Sequence, residues 1–422
     1  MQTTKPKVSI WFGFSTALGL ATDSILAHKL RSFLTLLGVI VGVGSVVLVG
    51  AAIDGLGLYT EQSTAKAFGT DSYLLAQVAQ VGNMSRKQYQ EKLRYNRKIG
   101  VDDLRYLRIA TGDQIMYSPY DQRTGEVKTN SQTFDQAVVI GVSASMPDIR
   151  DIGVVQGRCF SETEERAGQA LAVIGQDIVT NLFPDGSPLG KKFKVKGMEF
   201  TVLGIQEKLG SAFGQSLDTS VYIPYSAFTH IYGSQKNTSV FGRPKIGNGM
   251  DLDTATDVSR VALRVRFKTK PGAPDNFDIL TPDSIRGFVG SILSVIAAVV
   301  VPVTMISLVV GGIVIMNIML VSVTERTREI GIRKAIGARS SDVLLQFLLE
   351  AVVLSGTGGA IGLAVGYGAT LVIAQVFEFP LKLTWPYVVI ALVVSTLVGV
   401  ISGWYPAMRA AKLDPIAALR AE

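Results

Sequence analysis

The sequence predicts an α+β membrane protein with four transmembrane helices and a large exported α+β domain between helices 1 and 2. Charged residues make up 18% of the chain, yet they are missing from four long apolar windows. An ion at the centre of a bilayer costs roughly 2.5 to 3.5 kcal/mol on insertion scales, so this uneven distribution is typical of a spanning chain. Strand-like alternation and turn residues fill the segment between the first two windows, which predicts a folded domain there.

Each apolar window is long enough to cross a hydrocarbon core of about 30 Å. The first lacks a small-residue cleavage site after a short core, so we expect it to remain as an anchor. The predicted order is a cytoplasmic amphipathic segment at 1–31, helix 1 at 32–54, the exported domain at 55–286, helix 2 at 287–322, a cytoplasmic coupling-helix loop at 323–342, helix 3 at 343–377, an exported loop at 378–386, helix 4 at 387–408 and a cytoplasmic tail at 409–422.

Basic residues predict the orientation, because short loops rich in Lys and Arg stay in the cytoplasm. The connection between helices 3 and 4 has Lys382 as its only basic residue, whereas the other flanks are basic. Both termini and the 323–342 loop are therefore predicted to be cytoplasmic. The basic flanking residues are Lys5, Lys7, Lys29, Arg31, Arg326, Arg328, Arg333, Lys334, Arg339, Arg409, Lys412 and Arg420.

Short elements are predicted inside the exported domain. The stretch RVALRVRF from Arg260 to Phe267 alternates like a strand, and FKVKGMEFTVLGI from Phe193 to Ile205 is typical of a hairpin turning at Lys196 and Gly197. Further strands are predicted at LAVIG from Leu171 and SVYIP from Ser220, helical turns at Val101–Ala110 and Ser161–Ala167, and loops or insertions in the polar runs Gly82–Lys98 and Gly233–Asp257.

Residues that could carry chemistry are scarce. His28 and His230 are the only histidines, which argues against a histidine-based metal site or catalytic triad. Asp102 and Asp103 open a predicted helix, where the helix dipole favours carboxylates. The single cysteine, Cys159, cannot form an internal disulfide. We therefore expect no catalytic residue, no metal and no cofactor on this chain.

Nucleotide and nucleic-acid binding are not expected either. The stretch GSPLGKK from Gly186 to Lys192 partly resembles a phosphate loop, but it lacks the spacing and the hydroxyl residue after the lysine. The net charge of +7 comes from basic residues beside the apolar windows instead of one stripe with interleaved aromatic residues. A Walker motif is absent from the sequence.

The loop SVTERTREIGIRKAIGARSSD after helix 2 predicts a short helix. Ser322 and Glu325 form a possible capping box, Glu329 and Arg333 are spaced as a favourable pair, and Gly337 is placed to end the helix. It could be a solvated helix or one that docks into a groove on a cytoplasmic partner. Apolar residues among the charges favour docking, and the predicted contact residues are Glu325, Arg326, Thr327, Glu329, Ile330, Gly331, Ile332, Arg333, Lys334 and Ile336.

The C-terminal tail YPAMRAAKLDPIAALRAE predicts a second short helix, with Asp414 as cap and Pro415 at the first helical position. It could contact the same partner or lie at the membrane interface, and the sequence leaves both readings open. The candidate contact residues of the tail are Arg409, Lys412, Asp414, Pro415, Leu419 and Arg420.

Glycines at four-residue spacing predict close helix packing within the membrane. Gly38 with Gly42, and Gly358 with Gly362 and Gly366, form small-xxx-small faces, although membrane helices also tolerate glycine without such packing. The centres of the predicted spans contain no ionisable residue, so no proton or ion pathway is expected.

Long stretches resemble the permease subunits of MacB-type ABC transporters, which include FtsX-like and lipoprotein-releasing proteins. They are Gly311–Ser355, the tail, the opening HKLRSFLTLLGVIVGVGSVV, and VVQGRCFSETEERAGQALAVIG from Val154 with NLFPDGSPLGKKFKVKGMEFTVLGI after it. The resemblance is weakest at Gly82–Asn130 and Gly233–Asp257. It indicates the branch of the family whose ATPase is a separate chain.

The resemblance implies a permease in the inner membrane, dimeric with itself or a related subunit, that transmits ATP-driven motion to its exported domain. ATP and Mg²⁺ would be bound by the partner ATPase. Efflux of a peptide, lipid-like molecule or drug is the leading interpretation, with membrane lipid, a periplasmic adaptor and an outer-membrane duct as further partners. The alternatives are an FtsX-like regulator of a cell-wall hydrolase, a lipoprotein-releasing subunit, and a membrane receptor without an ATPase.

Overall fold

The computed structural model describes residues 29–82, 84–184, 186–377 and 381–420. Most of the predicted amphipathic segment, including Lys5, Lys7 and His28, and residues 378–380 of the predicted exported loop lie outside the described residues. The chain divides into two compact units. We call Thr60–Gly290 the sheet unit, and Met1–Tyr59 with Ser291–Glu422 the helical unit.

The elements follow one another along the chain as α1 Lys29–Phe68, β1 Tyr73–Ala76, α2 Arg86–Tyr95, α3 Val101–Ala110, a 3₁₀ turn Gly112–Gln114, β2 Ile115–Lys128, β3 Thr133–Val142, α4 Met146–Arg150, β4 Val154–Gly157, α5 Glu162–Arg166, β5 Leu171–Ile174, α6 Gln176–Leu182, β6 Lys192–Val195, β7 Met198–Gln206, β8 Ser211–Ala212, β9 Gln215–Ser216, β10 Ser220–Pro224, α7 Tyr225–Tyr232, β11 Ser239–Pro244, α8 Leu252–Arg266, β12 Asp278–Leu280, α9 Pro282–Glu325, α10 Thr327–Ala335, α11 Ser340–Phe377, α12 Trp385–Ala411 and α13 Pro415–Arg420.

Four helices, α1, α9, α11 and α12, are long and apolar enough to cross a membrane, which confirms the predicted four-helix fold. They are longer than the predicted spans, since each continues into flanking polar residues. The first helix ends where the Gly69 N–H donates to the Ala65 carbonyl at 2.8 Å with Gly69 at φ +85°. Helix α9 continues through Pro302.

Close backbone contacts hold the helical unit together. A Cβ on Gly38 would lie 2.7 Å from the Gly311 Cα, and one on Gly362 would lie 2.8 Å from the Ile40 carbonyl oxygen. Such distances leave no room for a side chain, as is typical of membrane helices. Of the five predicted packing glycines, Gly38, Gly362 and Gly366 lie against backbone atoms of a neighbouring helix, whereas Gly42 lies against the Leu308 side chain of α9 and Gly358 against the Leu36 and Val39 side chains of α1.

The sheet unit is built on one ten-stranded mixed sheet with the order β12-β1-β11-β2-β3-β10-β5-β7-β4, while β6 pairs with β2 and β7. Neighbouring strands are antiparallel except for β3 with β10 and β5 with β7. Strands β8 and β9 form a separate two-stranded sheet. The predicted α+β domain between the first two apolar helices is thus present.

Both faces of this sheet are buried, because alternate residues of the central strands point to opposite sides. On β10, Val221 and Ile223 join the core beneath α6 and α7, whereas Tyr222 joins the core beneath α4. A third core, under α3 and α8, contains Tyr73, Leu75 and Leu263. The predicted short strands at Leu171 and Ser220 are confirmed as buried elements of this sheet.

The prediction of a strand at Arg260–Phe267 is wrong, since these residues form the end of α8 and its cap. Their alternation also fits a helix: Ser259, Ala262 and Leu263 are buried at helical spacing, while Val261 and Val265 are exposed. The first turns of α8 precede the predicted strand, so an eight-residue window could not distinguish the two periods.

Both polar runs predicted as loops contain regular structure. Residues 82–98 include α2, which begins with a full capping box between Ser85 and Gln88. Residues 233–257 include β11, whose neighbours in the sheet are β1 and β2. Its Gly242 lies against the Tyr73 ring, where a Cβ would be 2.6 Å from Cζ. This run is therefore part of the sheet and not a dispensable insertion.

The predicted hairpin is confirmed, with β6 and β7 antiparallel and Val195 paired with Met198. Lys196 and Gly197 both have positive φ, 48° and 89°, as a tight type I′ turn requires. The predicted helices at 101–110 and 161–167 are confirmed as α3 and α5. Asp103 accepts a hydrogen bond from the Gly100 N–H at the start of α3, in agreement with its predicted helix-terminal role.

Candidate functional site

The candidate site lies at the end of the helical unit where α10 and α13 pack together, and we call it the contact surface. The predicted capping box at Ser322 is wrong, because α9 continues to Glu325 and the Ser322 carbonyl accepts the Arg326 N–H at 3.0 Å. The helix is interrupted at Arg326 (φ −99°, ψ 15°), and α10 begins at the next residue. Gly337, at φ +102°, follows the end of α10 as predicted.

Helix α13 begins as predicted, since the Asp414 carboxylate accepts the Ile416 N–H at 3.0 Å and Pro415 is the first helical residue. It packs on α10 at a position where only glycine fits. A Cβ on Gly331 would lie 2.8 Å from the Ala418 Cβ. The loop and the tail, which the sequence presents as two separate contact regions, therefore form one surface.

A lysine anchors α10 to the end of α12. The Lys334 ammonium donates to the carbonyl oxygens of Ala411 at 2.5 Å and Leu413 at 2.8 Å. Carbonyl groups at a helix C-terminus carry partial negative charge, so this position favours a cation. Lys334, predicted as a partner contact, thus binds within its own chain.

Ile330 is also an internal residue, since it is 2% exposed and packs with Val343 and Phe347 of α11. Its side chain is therefore covered by its own chain, although the sequence places it among the predicted partner contacts, and a partner contact at Ile330 stays a prediction. Exposed apolar side chains remain on the contact surface: Ile332, Ile336, Ile416 and Leu419, of which Ile336 is 81% exposed.

An ion pair stabilises the break between α9 and α10. Arg326 Nη1 lies 3.4 and 3.5 Å from the two carboxylate oxygens of Glu350 on α11, whose side chain is 5% exposed. The residues alone did not predict this contact. The signal was a single acidic residue among the apolar residues of α11, which normally requires a partner.

Other predicted contact residues make local interactions. The Thr327 hydroxyl donates to the Val323 carbonyl at 3.0 Å, and Arg333 donates to Gln346 at 3.0 Å while lying 3.9 Å from Glu329. Glu325 is exposed at the end of α9. Arg409, Lys412 and Leu419 are exposed as well, whereas the side chain of Arg420 lies outside the description.

The exposed groups of the contact surface are suited to binding a partner. Within residues 29–82, 84–184, 186–377 and 381–420, no three His, Cys, Asp or Glu side chains come together as a metal site. His230 lies in α7 of the sheet unit, far along the chain from the contact surface. The contact surface instead offers exposed apolar side chains beside charged groups, which is the composition of a docking helix.

Comparison with known families agrees with this architecture. The model of the MacB-like periplasmic core domain matches residues 32–274, and the model of the FtsX-like permease C-terminal region matches residues 301–415. The chain belongs to the MacB-like family of ABC transporter permeases. Its four apolar helices and this membership make the permease a multi-pass membrane protein of a family that works with an ATPase partner.

Two curated relatives illustrate the range of the family. The permease is 30% identical over 408 residues to an uncharacterised ABC transporter permease, YknZ, of Bacillus subtilis, covering 96% of this chain and 98% of the relative. It is 33% identical over 403 residues to the macrolide export ATP-binding/permease protein MacB of Bdellovibrio bacteriovorus, covering 95% of this chain. The permease spans only 61% of the length of that MacB relative.

A solved structure is similar to part of the permease. The periplasmic region of MacB from Actinobacillus actinomycetemcomitans aligns over 54% of this chain and 95% of its own, with 18% identity and a TM-score of 0.43.

Proposed function

We propose that the permease transmits the motion of a separate ATP-hydrolysing subunit to its sheet unit, and that this motion drives efflux of a peptide, lipid-like molecule or drug. The contact surface is the observation that carries the proposal. It exposes Ile332 and Ile336 beside charged groups, as a helix that docks into a partner's groove would. ATP and Mg²⁺ are assigned to the partner.

Internal contacts support force transmission through α10. The helix is tied to α11 by the Arg326–Glu350 ion pair, to the end of α12 by Lys334, and to α13 at Gly331. A partner that displaces α10 would therefore displace packed helices and not a flexible loop, because packed elements move as units.

Stimulation of a partner ATPase tests this role. An Ile336→Asp variant removes the most exposed apolar group of the contact surface without touching its internal anchors. We expect it to lose most of the stimulation of ATP hydrolysis when reconstituted with the ATPase in lipid. Ile246→Asp changes an equally exposed isoleucine of the sheet unit and is the control. Full stimulation by the Ile336→Asp protein would contradict the proposal.

The proposed location is the inner membrane, with both termini and the 323–342 loop cytoplasmic and the sheet unit exported. The basic flanking residues support this orientation. In a Cys159→Ala background, Ile246→Cys should react with an impermeant maleimide on spheroplasts, and Ile336→Cys should react only after the membrane is opened. Labelling of Ile336→Cys on sealed spheroplasts would reverse the orientation.

Efflux is supported by relatives whose name includes macrolide export. The match of residues 301–415 to the FtsX-like model favours a second candidate, in which the same motion regulates a cell-wall hydrolase or releases lipoproteins. A dimer, a periplasmic adaptor and an outer-membrane duct belong to the efflux proposal. Purification with cross-linking from native membranes distinguishes the two candidate functions. Recovery of an adaptor indicates efflux, and recovery of a cell-wall hydrolase indicates regulation. Recovery without any ATPase would indicate a receptor instead.

A further inference from the structure

The sheet unit contains a cavity of about 470 Å³ lined by four lysines, which we call the lysine pocket. It lies between the turn that follows β2, the start of β6 and the residues after α6. The lysines are Lys128, Lys191, Lys192 and Lys194. Hydroxyl and amide side chains of the turn at residues 129–132 complete the polar wall.

Strand register forces two of these cations together. Lys128 and Lys194 are direct cross-strand partners in the ladder between β2 and β6, and the next pair is Val127 with Val195. Both valines are buried, so the pleat turns both lysines outwards on the same face. Like charges directly opposite each other destabilise a sheet, and Glu199, which is opposite Lys194 in the ladder between β6 and β7, offsets part of this cost.

Acidic residues neutralise only part of this charge. Glu199 lies 3.5 Å from Lys192 and 3.6 Å from Lys194, and Glu126 lies 3.4 Å from Lys128. The Lys191 ammonium lies over the Phe183 ring, 5.9 Å from its centroid. Among the described residues that line the cavity, Glu199 is the one carboxylate beside four lysines. With Glu126 also counted, four lysines are accompanied by two carboxylates, so the pocket keeps an excess of positive charge.

We propose that the lysine pocket binds a phosphate-bearing ligand. Ammonium groups act as compact point charges for phosphate oxygens, and nearby hydroxyl and amide groups supply additional hydrogen-bond donors. Glu199 bridges two of the lysines, so it competes with the ligand for them. Lys191 and Lys192 belong to the GSPLGKK stretch, but a strand begins at Lys192 where a phosphate loop would begin a helix, so the site is unlike a nucleotide phosphate loop.

Binding of tripolyphosphate to the full chain in nanodiscs of zwitterionic lipid tests the proposal, with isothermal titration calorimetry at low salt. A Lys191→Gln/Lys194→Gln variant should bind about tenfold more weakly or worse, because each charge-assisted hydrogen bond contributes strongly. The control, Lys236→Gln/Lys270→Gln, removes the same charge from exposed positions elsewhere in the sheet unit and should bind as the unmodified chain does.

Glu199→Gln provides a change of opposite sign, because it frees Lys192 and Lys194 from their carboxylate. We expect tighter binding of tripolyphosphate, a result that misfolding cannot imitate. Equal weakening in the pocket and control variants, or an unchanged affinity in both the lysine and Glu199 variants, would overturn the proposal.

The source of the phosphate is tested by repeating the titration in nanodiscs that contain phosphatidylglycerol. If phosphatidylglycerol abolishes tripolyphosphate binding by the unmodified chain, a lipid headgroup occupies the pocket. The weak residual binding of the Lys191→Gln/Lys194→Gln variant should then be the same in both kinds of nanodisc. Undiminished binding identifies a soluble phosphate ester. Both outcomes support the phosphate chemistry, and failure of the site would leave the proposed coupling function untouched, since ATPase stimulation does not depend on it.

Discussion

The two units of the permease differ in the contacts that stabilise each of them internally. The sheet unit fills its cores with large side chains, and Tyr73, Tyr117, Phe193, Phe200 and Phe228 are all fully buried there. The helical unit instead brings backbones together at glycines, with Phe347 as its fully buried aromatic residue among the described positions.

The difference follows from the solvent of each unit. Burial of aromatic side chains away from water is strongly favourable, so a water-exposed domain is stabilised by large residues. Lipid tails are as apolar as leucine, so helices in a bilayer gain little from burying large side chains and associate by close packing. Substitutions should therefore have opposite size preferences in the two units.

Phe200→Ala should show the largest effect, because Phe200 is fully buried and its ring centroid lies 6.1 Å from that of Phe193. Replacing a buried phenylalanine by alanine leaves a cavity and lowers the free energy of unfolding by about 3 to 5 kcal/mol. Urea unfolding of the full chain in detergent, with hydrogen exchange read across β7, measures the loss. A change smaller than that of the glycine substitutions below would contradict the comparison.

Arg326→Leu should follow, since it leaves the buried Glu350 carboxylate without its cation. Breaking one side of a buried pair costs about 3 kcal/mol or more, whereas replacing both partners by apolar residues is close to neutral. The thermal unfolding midpoint in detergent should therefore fall in the single variant and recover in Arg326→Leu/Glu350→Leu. If the double variant is no more stable than the single one, the pair is not the source of the effect.

Gly362→Ala isolates the backbone contact in the helical unit. Its Cβ would lie 2.8 Å from the Ile40 carbonyl oxygen, and overpacking of this kind costs about 1 to 3 kcal/mol. Gly368→Ala, on the same helix, meets no atom within 4 Å and should stabilise slightly, because alanine favours the helix. Thermal unfolding of both variants should give opposite shifts; shifts of the same sign would refute close packing at Gly362.

Acidification should have the smallest effect, through Asp151. Burial alone would raise the pKa of this carboxyl, but hydrogen bonds from Thr70 and Arg243 lower the pKa below its ordinary value. A lowered pKa in the folded state stabilises the protein above about pH 4, and that stabilisation is lost as the pH falls further. The side chain is 45% exposed, so the effect is small.

Asp151→Asn checks this prediction, since asparagine tolerates the left-handed backbone at φ 52° and removes the charge together with one of the two accepting oxygens. The thermal midpoint of the unmodified chain should fall more between pH 5 and pH 3 than that of the variant. Parallel curves would show that Asp151 contributes nothing to the acid response.

Local signals predicted a large part of the fold. Some features depend only on residues that are close together in the sequence. They include the four apolar helices, the hairpin at Lys196 and Gly197, and the cap of α13 at Asp414. The segment that forms β11 was missed because its polar flanks resemble a loop. Only its place between β1 and β2 buries it, and strand pairing over long separations is not visible in one sequence.

The contact surface was predicted as a set of residues but not as an arrangement. Nothing in the local pattern indicates that Gly331 touches Ala418, or that Lys334 reaches the end of α12. These contacts join segments that are remote in sequence, and they turn Ile330 inwards. Whether the surface binds an ATPase stays a prediction.

The packing of Ala418 on Gly331 also limits how the chain can be dissected. A protein shortened to end at Lys412 would lose α13, so the face of α10 at Gly331 would lose its contact with Ala418. Each truncation of the tail is then also a change to the loop helix, and a loss of ATPase binding in such a protein would not assign the interaction to the tail. Point substitutions at Ile416 and Leu419, whose side chains face outwards, separate the two segments cleanly.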